Sequence, residues 1–160
     1  MADPRAKFDP LGVLATLDRH RVAYVVIGGF GRVVRGTEEI TRGIDIVPST
    51  KPDNLQRLAK ALGELGASEV SVSDLDSDPV KLVTERGEVR IVPEPIGTRG
   101  YDDLRRAATR EPLGRGLRPS VASTDDLARM VAAWAREEDR AKLRQLRQLA
   151  ELERGLALEL

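Results

Sequence analysis

The chain has 160 residues, of which 41% are hydrophobic and 3% aromatic, so one domain with an aliphatic core is expected. Its 26 basic and 26 acidic side chains cancel, which gives no overall signature of a nucleic-acid-binding protein. There is no cysteine and one histidine, His20, which excludes disulfides, thiolate zinc sites, cysteine nucleophiles and histidine metal clusters. The N-terminus is charged and no segment reaches the roughly 20 apolar residues of a membrane span, so we expect a cytoplasmic protein without a signal peptide.

The first half of the chain alternates helix and strand patterns. Leucines at helical spacing predict the helices, and short β-branched runs bounded by glycine or proline predict the strands. The predicted elements are a helix over residues 11–20, a buried strand over 22–27, a short helix over 30–35, a strand over 44–47 and an amphipathic helix over 52–65.

The second half adds a hairpin and a helical C-terminal portion. Arg86-Gly87 lies between two strand-like runs and predicts a hairpin turn. The predicted elements are strands over 80–85 and 88–92, a short helix over 101–108, a strand over 117–121, a helix from Ser123 or Thr124 to Trp134 and a charged helix over 136–154. This order predicts a single domain over residues 1–160 of the α/β (α+β) class. We expect a mixed sheet covered mainly on one side by helices, with residues 123–160 as a helical C-terminal portion.

The informative motif is a glycine pair followed at a set distance by an acid-bearing strand. Gly28-Gly29 ends the first predicted strand, and thirteen residues separate it from the strand Gly43-Ile44-Asp45-Ile46-Val47. A glycine pair lets the backbone approach a triphosphate, with amides and a helix N-terminus facing the charge. Side chains at positions i and i+2 of a strand point to one face of the sheet, so Asp45 shares its face with position 43.

This pattern resembles the DNA polymerase β-like nucleotidyltransferase superfamily, in particular the small bacterial proteins related to minimal nucleotidyltransferases and abortive-infection toxin nucleotidyltransferases. The resemblance covers residues 11–67, and more weakly residues 88–104 and the helix after Ser123. It implies an NTP as the nucleotide donor, RNA or protein as the acceptor, Mg²⁺ as the cofactor of an active enzyme, and a toxin–antitoxin-like context.

The resemblance also implies roles for particular residues. Asp45 matches a catalytic acid and metal ligand. The residues that match nucleotide-binding positions are Gly28, Gly29, Arg32 and Arg42. Each of the two arginines is also explained as an ordinary surface charge.

Two positions depart from the family pattern. In that superfamily, two acids at positions i and i+2 of one strand and a third acid from a neighbouring strand hold Mg²⁺. Gly43 stands where the first of these acids is expected, and Arg90 stands where the third is expected. One carboxylate and one guanidinium make a poor Mg²⁺ site, because Mg²⁺ prefers oxygen ligands in near-octahedral geometry and an arginine repels it. We therefore predict that Arg90 pairs with Asp45 on the same face of the sheet, at about 4 Å or less.

Three functions remain open at this stage. The first is a catalytically impaired or inactive nucleotidyltransferase-fold protein, a pseudoenzyme with residual nucleotide, RNA or protein binding. The second is an active metal-dependent nucleotidyltransferase, which would need other acids from the set Glu38, Glu39, Glu88 and Glu94. The third is a structural module that binds a protein partner, or a second copy of itself, through the C-terminal helix.

Overall fold

The structure is a computed structural model that describes residues 8–67, 69–134 and 140–159, with side chains described as far as residue 156. Its helices are α1 (Pro10–Arg19), α2 (Gly28–Arg35), α3 (Pro52–Glu64), α4 (Tyr101–Leu104), α5 (Thr124–Trp134) and α6 (Arg140–Glu159). Its strands are β1 (Tyr24–Ile27), β2 (Gly43–Pro48), β3 (Val80–Thr84), β4 (Gly87–Ile91), β5 (Thr109–Arg110) and β6 (Ser120–Val121). No helix in the described part of the chain has the length and apolar character to cross a membrane.

The strands form one mixed sheet in the order β3-β4-β2-β1-β6-β5. Strands β2 and β4 pair in parallel, as do β1 and β6, and the other pairs are antiparallel. Strand β2 therefore lies between β1 and β4. This register places Asp45 opposite Ile27 on one side and opposite Arg90 on the other.

Alternation along the strands divides the apolar side chains between two cores on opposite faces of the sheet. One core packs against α1 and α3, and its strand residues include Val26, Ile44, Ile46, Val89 and Ile91. The other packs against α4, α5 and α6, and its strand residues include Val25, Ile27 and Val47. The mixed sheet and the helical C-terminal portion are as predicted. Helices α4, α5 and α6 add a second layer where the sequence predicted cover mainly on one side.

Arg35 explains the largest difference from the predicted elements. The helix predicted over 101–108 ends at Leu104, and a turn over residues 105–107 leads to the short strand β5 at Thr109. The Arg35 guanidinium donates to the Ala122 carbonyl at 3.0 Å, the Val121 carbonyl at 2.8 Å and the Thr109 hydroxyl at 2.8 Å. These tertiary bonds hold β5 and β6 in place, and β5 has no sequence pattern of its own. The start predicted for the last helix, residue 136, lies outside the described residues.

Asn54 joins the first turn of α3 to the strands that carry the motif. Its Oδ1 accepts from the Ala23 amide at 2.7 Å, and its Nδ2 donates to the Ala23 carbonyl at 2.9 Å and the Ser49 carbonyl at 2.8 Å. The side chain is buried, so these bonds satisfy backbone groups that water does not reach. Asn54 thus holds the start of β1 beside the end of β2.

We expect Asn54→Ala to lower the free energy of unfolding by roughly 2–4 kcal/mol, because buried backbone groups lose their partners. Asn54→Asp should also destabilise the fold at neutral pH, since a carboxylate accepts but cannot donate to the two carbonyls. Urea denaturation measures both effects. Gln56→Ala, at an exposed position of the same helix, is the control; equal stability of Asn54→Ala and Gln56→Ala would contradict the prediction.

Candidate functional site

The glycine pair forms the turn between β1 and α2, as predicted. Strand β1 ends at Ile27 and α2 begins at Gly28, whose φ of 69° lies in the left-handed region that favours glycine. A Cβ at Gly28 would overlap the Asp45 carboxylate. The absence of a side chain at Gly28 therefore permits both the sharp turn and the close approach of Asp45.

Asp45 lies on β2, on the sheet face that α5 and α6 partly cover. It is half-buried between the fully buried Ile44 and Ile46. Burial raises the pKa of Asp45, and the nearby positive charges of Arg90 and Arg32 offset this only in part. Among the residues that the structure describes, none forms a hydrogen bond or a close ion pair with its carboxylate. Asp45 is thus a partly desolvated acid without a partner.

Arg90 is on the predicted face but does not form the predicted ion pair. It is directly opposite Asp45 in the β2–β4 register. Within the described part of the chain, however, their charged groups are not within the 4.0 Å of an ion pair. Asp45 packs against Gly28, whereas the longer Arg90 side chain is exposed. The prediction of a pair within 4 Å is therefore wrong, and so is the compensation that it was meant to provide.

Arg32 and Glu39 form an ion pair beside the glycine pair. Arg32 Nε donates to Glu39 Oε2 at 2.8 Å and its Nη2 donates to Oε1 at 3.0 Å. Both side chains are only 14% exposed. Burial acts to raise the pKa of Glu39, but hydrogen bonds from Arg32 and Thr37 outweigh it and hold that pKa low. Arg32 lines the site, and its charge is engaged by Glu39, while its role in nucleotide binding stays a prediction.

Two neighbouring clefts open on this face and share Gly29, Asp45 and Arg90. The main cleft has a volume of about 430 Å³, and the small cleft about 250 Å³. The main cleft is lined by both polar and apolar residues, which also include Gly28, Arg32, Glu94, Ile96, Leu127, Met130, Trp134 and Lys142. The small cleft is lined in addition by Thr41, Gly43, Lys81 and Glu88.

The sequence did not single out the apolar wall of the main cleft. Trp134, the one tryptophan of the chain, stands at the end of α5 and is 45% exposed. Ile96, which follows β4 in the chain, is also exposed and lines the same cleft. An exposed tryptophan at the end of an amphipathic helix is the signal that could have indicated this wall. Arg42, by contrast, is exposed and lines neither cleft.

The donor set does not fit the Mg²⁺ ions that the resemblance implies. In the described residues, no three aspartate, glutamate or histidine side chains come together as metal ligands. Glu39 is bound to Arg32, and Glu88 pairs with Lys81 at 3.4 Å. Of the other two acids considered, Glu38 is exposed outside both clefts, and Glu94 lines the main cleft.

Gly43 occupies a position that cannot take an acid without moving the sheet. A Cβ at Gly43 would lie 2.8 Å from the Glu88 carbonyl oxygen and 2.9 Å from the Glu88 Cβ. These contacts are too short, and the first is with backbone on a paired strand. The space beside Gly43 is therefore filled by β4.

We expect Asp45→Asn to raise the free energy of unfolding at neutral pH, because it removes a buried charge without changing side-chain size. Because the pKa of Asp45 is raised in the folded state, the stability that depends on its protonation is fully present below the ordinary pKa of 3.8. That contribution is lost as the pH rises through the folded pKa. The advantage of the variant should therefore shrink as the pH falls toward that value. Denaturation at several pH values measures it, with the exposed Asp78→Asn as control; a constant difference would refute the assignment.

We expect Gly28→Ala to lower the free energy of unfolding by about 2–4 kcal/mol, from left-handed backbone strain plus overlap with Asp45. In an Asp45→Gly background the overlap disappears, and about 1–2 kcal/mol should remain. Denaturation of the four proteins of this double-mutant cycle measures the coupling. Gly63→Ala is the control, because a Cβ there meets nothing within 4 Å and should stabilise α3. A cycle without coupling would contradict the contact.

No family model matches the chain, and no curated protein sequence matches it. Solved structures do match. The chain is similar to the lincosamide antibiotic adenylyltransferase LnuA in its lincomycin-bound form, with TM-score 0.59 and 18% identity over 89% of this chain and 99% of that one. It is also similar to a candidate nucleotidyltransferase from Thermotoga maritima, with TM-score 0.53 and 16% identity over 96% of this chain and 97% of that one. The chain therefore has a nucleotidyltransferase fold.

Proposed function

We propose that this protein binds a nucleoside triphosphate in the main cleft and is impaired in nucleotidyl transfer. The fold supports nucleotide binding, and the cleft volume of about 430 Å³ is within the range of small-molecule sites. The observation that carries the second part is the β2–β4 register, in which Gly43 is closed off by Glu88 and Asp45 faces Arg90.

The arrangement of the cleft suits the parts of a nucleotide. The phosphates would lie at the Gly28-Gly29 turn, where α2 begins and its first amides are not used within the helix. The base would lie along the apolar wall made by Met130, Val131 and Trp134 of α5. An aromatic ring such as that of Trp134 can stack on any base, so this wall supports base binding without selecting one.

Transfer requires more than binding. In this fold class, paired metal ions bound by three acids activate the attacking hydroxyl and balance charge on the phosphates. Here one acid, Asp45, remains at the matching positions, and Arg90 places a positive charge where a cation would have to approach. Mg²⁺ chemistry is therefore not assigned to these residues. A role for RNA or protein as a bound partner, without transfer, stays compatible with the site.

A second candidate function is protein binding through α6. Leu152 and Leu156, one helical turn apart, are 64% and 62% exposed. Exposed leucines at this spacing are typical of a helix that contacts another protein or a second copy. Sedimentation at several protein concentrations, compared with Leu152→Lys, tests this function separately from nucleotide binding.

We expect ATP or another NTP to bind, and no Asp45-dependent incorporation of labelled nucleotide into RNA or protein. Trp134→Ala should weaken NTP binding by roughly 5- to 100-fold if the base stacks on the ring, corresponding to about 1–3 kcal/mol. Calorimetry measures the affinity, and label retained on candidate acceptors measures transfer. Leu152→Ala, an exposed apolar residue outside the cleft, is the control for Trp134→Ala.

Labelling of any acceptor that is abolished by Asp45→Ala would refute the proposed impairment. Restoring acids with Gly43→Asp and Arg90→Asp is the companion experiment. Because the Gly43 position is closed by backbone, we expect Gly43→Asp to destabilise the sheet, so the double variant should not gain transfer. Gain of Mg²⁺-dependent transfer by a folded double variant would show that β2 and β4 can separate to admit the acid.

A further inference from the structure

We infer that the cleft binds the phosphates of its ligand without a divalent cation, and that the Arg90 guanidinium is the group that binds them. The ligand class is a metal-free polyphosphate, such as an NTP not complexed to Mg²⁺. This inference rests on the proposed function, which supplies the nucleotide. It goes beyond that function because it assigns the positive charge to a side chain of this chain.

The position of Arg90 is the first argument. Arg90 lines both the main and the small cleft, and the residues that these clefts share are Gly29, Asp45 and Arg90. Phosphates at the glycine turn would therefore lie within the cleft region that Arg90 lines. A guanidinium offers several donors in a planar fork that matches two phosphate oxygens at once.

The availability of Arg90 is the second argument. Arg32 is held by Glu39 in two short hydrogen bonds, and Lys81 is paired with Glu88. Arg90, in the described part of the chain, has neither a hydrogen bond nor an ion pair, and it is exposed. It can therefore turn toward an anion without breaking an existing bond. The charges of Arg32 and Lys81 are already engaged.

The unpartnered Asp45 is the third argument. An anion at the glycine turn would approach the Asp45 carboxylate, which packs against Gly28. That repulsion needs a compensating charge, and Arg90 is the arginine placed directly opposite Asp45 on the neighbouring strand. Arg90, at the position where the resemblance expects the third acid, thus carries a positive charge, as the Mg²⁺ ion would. Adding Mg²⁺ to the ligand would place a second cation beside Arg90, where the two clefts share one carboxylate, that of Asp45.

The inference predicts that Mg²⁺ weakens ATP binding, whereas a metal-dependent site would bind ATP more tightly with Mg²⁺. Calorimetry of the full chain with ATP should give tighter binding in EDTA than in excess Mg²⁺, by about 3- to 10-fold, because Mg²⁺ neutralises the charge that Arg90 recognises. Inorganic tripolyphosphate should show the same dependence, since the phosphates carry it. The measured quantities are the two dissociation constants for each ligand.

Variants of Arg90 test the assignment of the residue. Arg90→Ala should weaken ATP binding in EDTA by about 10- to 100-fold, the range for loss of a charged hydrogen bond. Arg90→Lys should restore part of the loss, because it keeps the charge but not the fork. Arg147→Ala, an exposed arginine of α6 outside both clefts, is the matched control and should bind as wild type. Thermal melts confirm that each variant is folded.

The possible failures are distinguishable. If ATP binds only with Mg²⁺, or if folded Arg90→Ala binds as wild type, metal-free recognition by Arg90 is overturned and nucleotide binding stands. If no NTP binds in either condition, both the inference and the proposed nucleotide binding are overturned. Equal weakening by Arg90→Ala and Arg147→Ala would indicate non-specific charge attraction and would also overturn the assignment.

Discussion

The site depends on the contact between Gly28 and Asp45. The turn after β1 can lie against β2 only because Gly28 has no side chain and adopts a positive φ. That contact brings a half-buried carboxylate to the start of α2, where the backbone amides favour a negative charge. Burial nevertheless raises the pKa of Asp45, and a partly desolvated acid that lines a cleft is typical of a ligand site.

The close approach of β2 and β4 determines which chemistry the site can carry. At Gly43, the backbone carbonyl and the Cβ of Glu88 on β4 occupy the space that an acid side chain would need. Two residues further along β2, Asp45 is in register with Arg90, and among the described residues the two form neither a hydrogen bond nor an ion pair. The three positions that the resemblance assigns to acids thus hold Gly43, Asp45 and Arg90. They offer one carboxylate, whereas Mg²⁺ prefers several oxygen ligands.

Strong local patterns in the sequence predicted most of the fold. The β-branched runs ended by glycine or proline predicted β1 and β2, Arg86-Gly87 predicted the hairpin, and the leucine stripe predicted α3. Strand β5 could not be predicted, because two residues carry no periodicity and Arg35 holds them from a distant helix. In the site, the resemblance, which puts Arg90 where a third acid is expected, predicted that Asp45 and Arg90 share a face. It could not predict their separation, which depends on side-chain conformation and on the contact with Gly28.

The bonds of Asn54 and Arg35 have a consequence for how this protein can change over evolutionary time. Neither side chain lines the main or the small cleft. Asn54 holds the far ends of β1 and β2, and Arg35 holds α2 to β6 and β5. Substitution of Arg90, which is exposed and lines both clefts, therefore leaves these bonds intact. A lineage can lose an old reaction at the cleft, and acquire a different ligand there, while the scaffold stays folded.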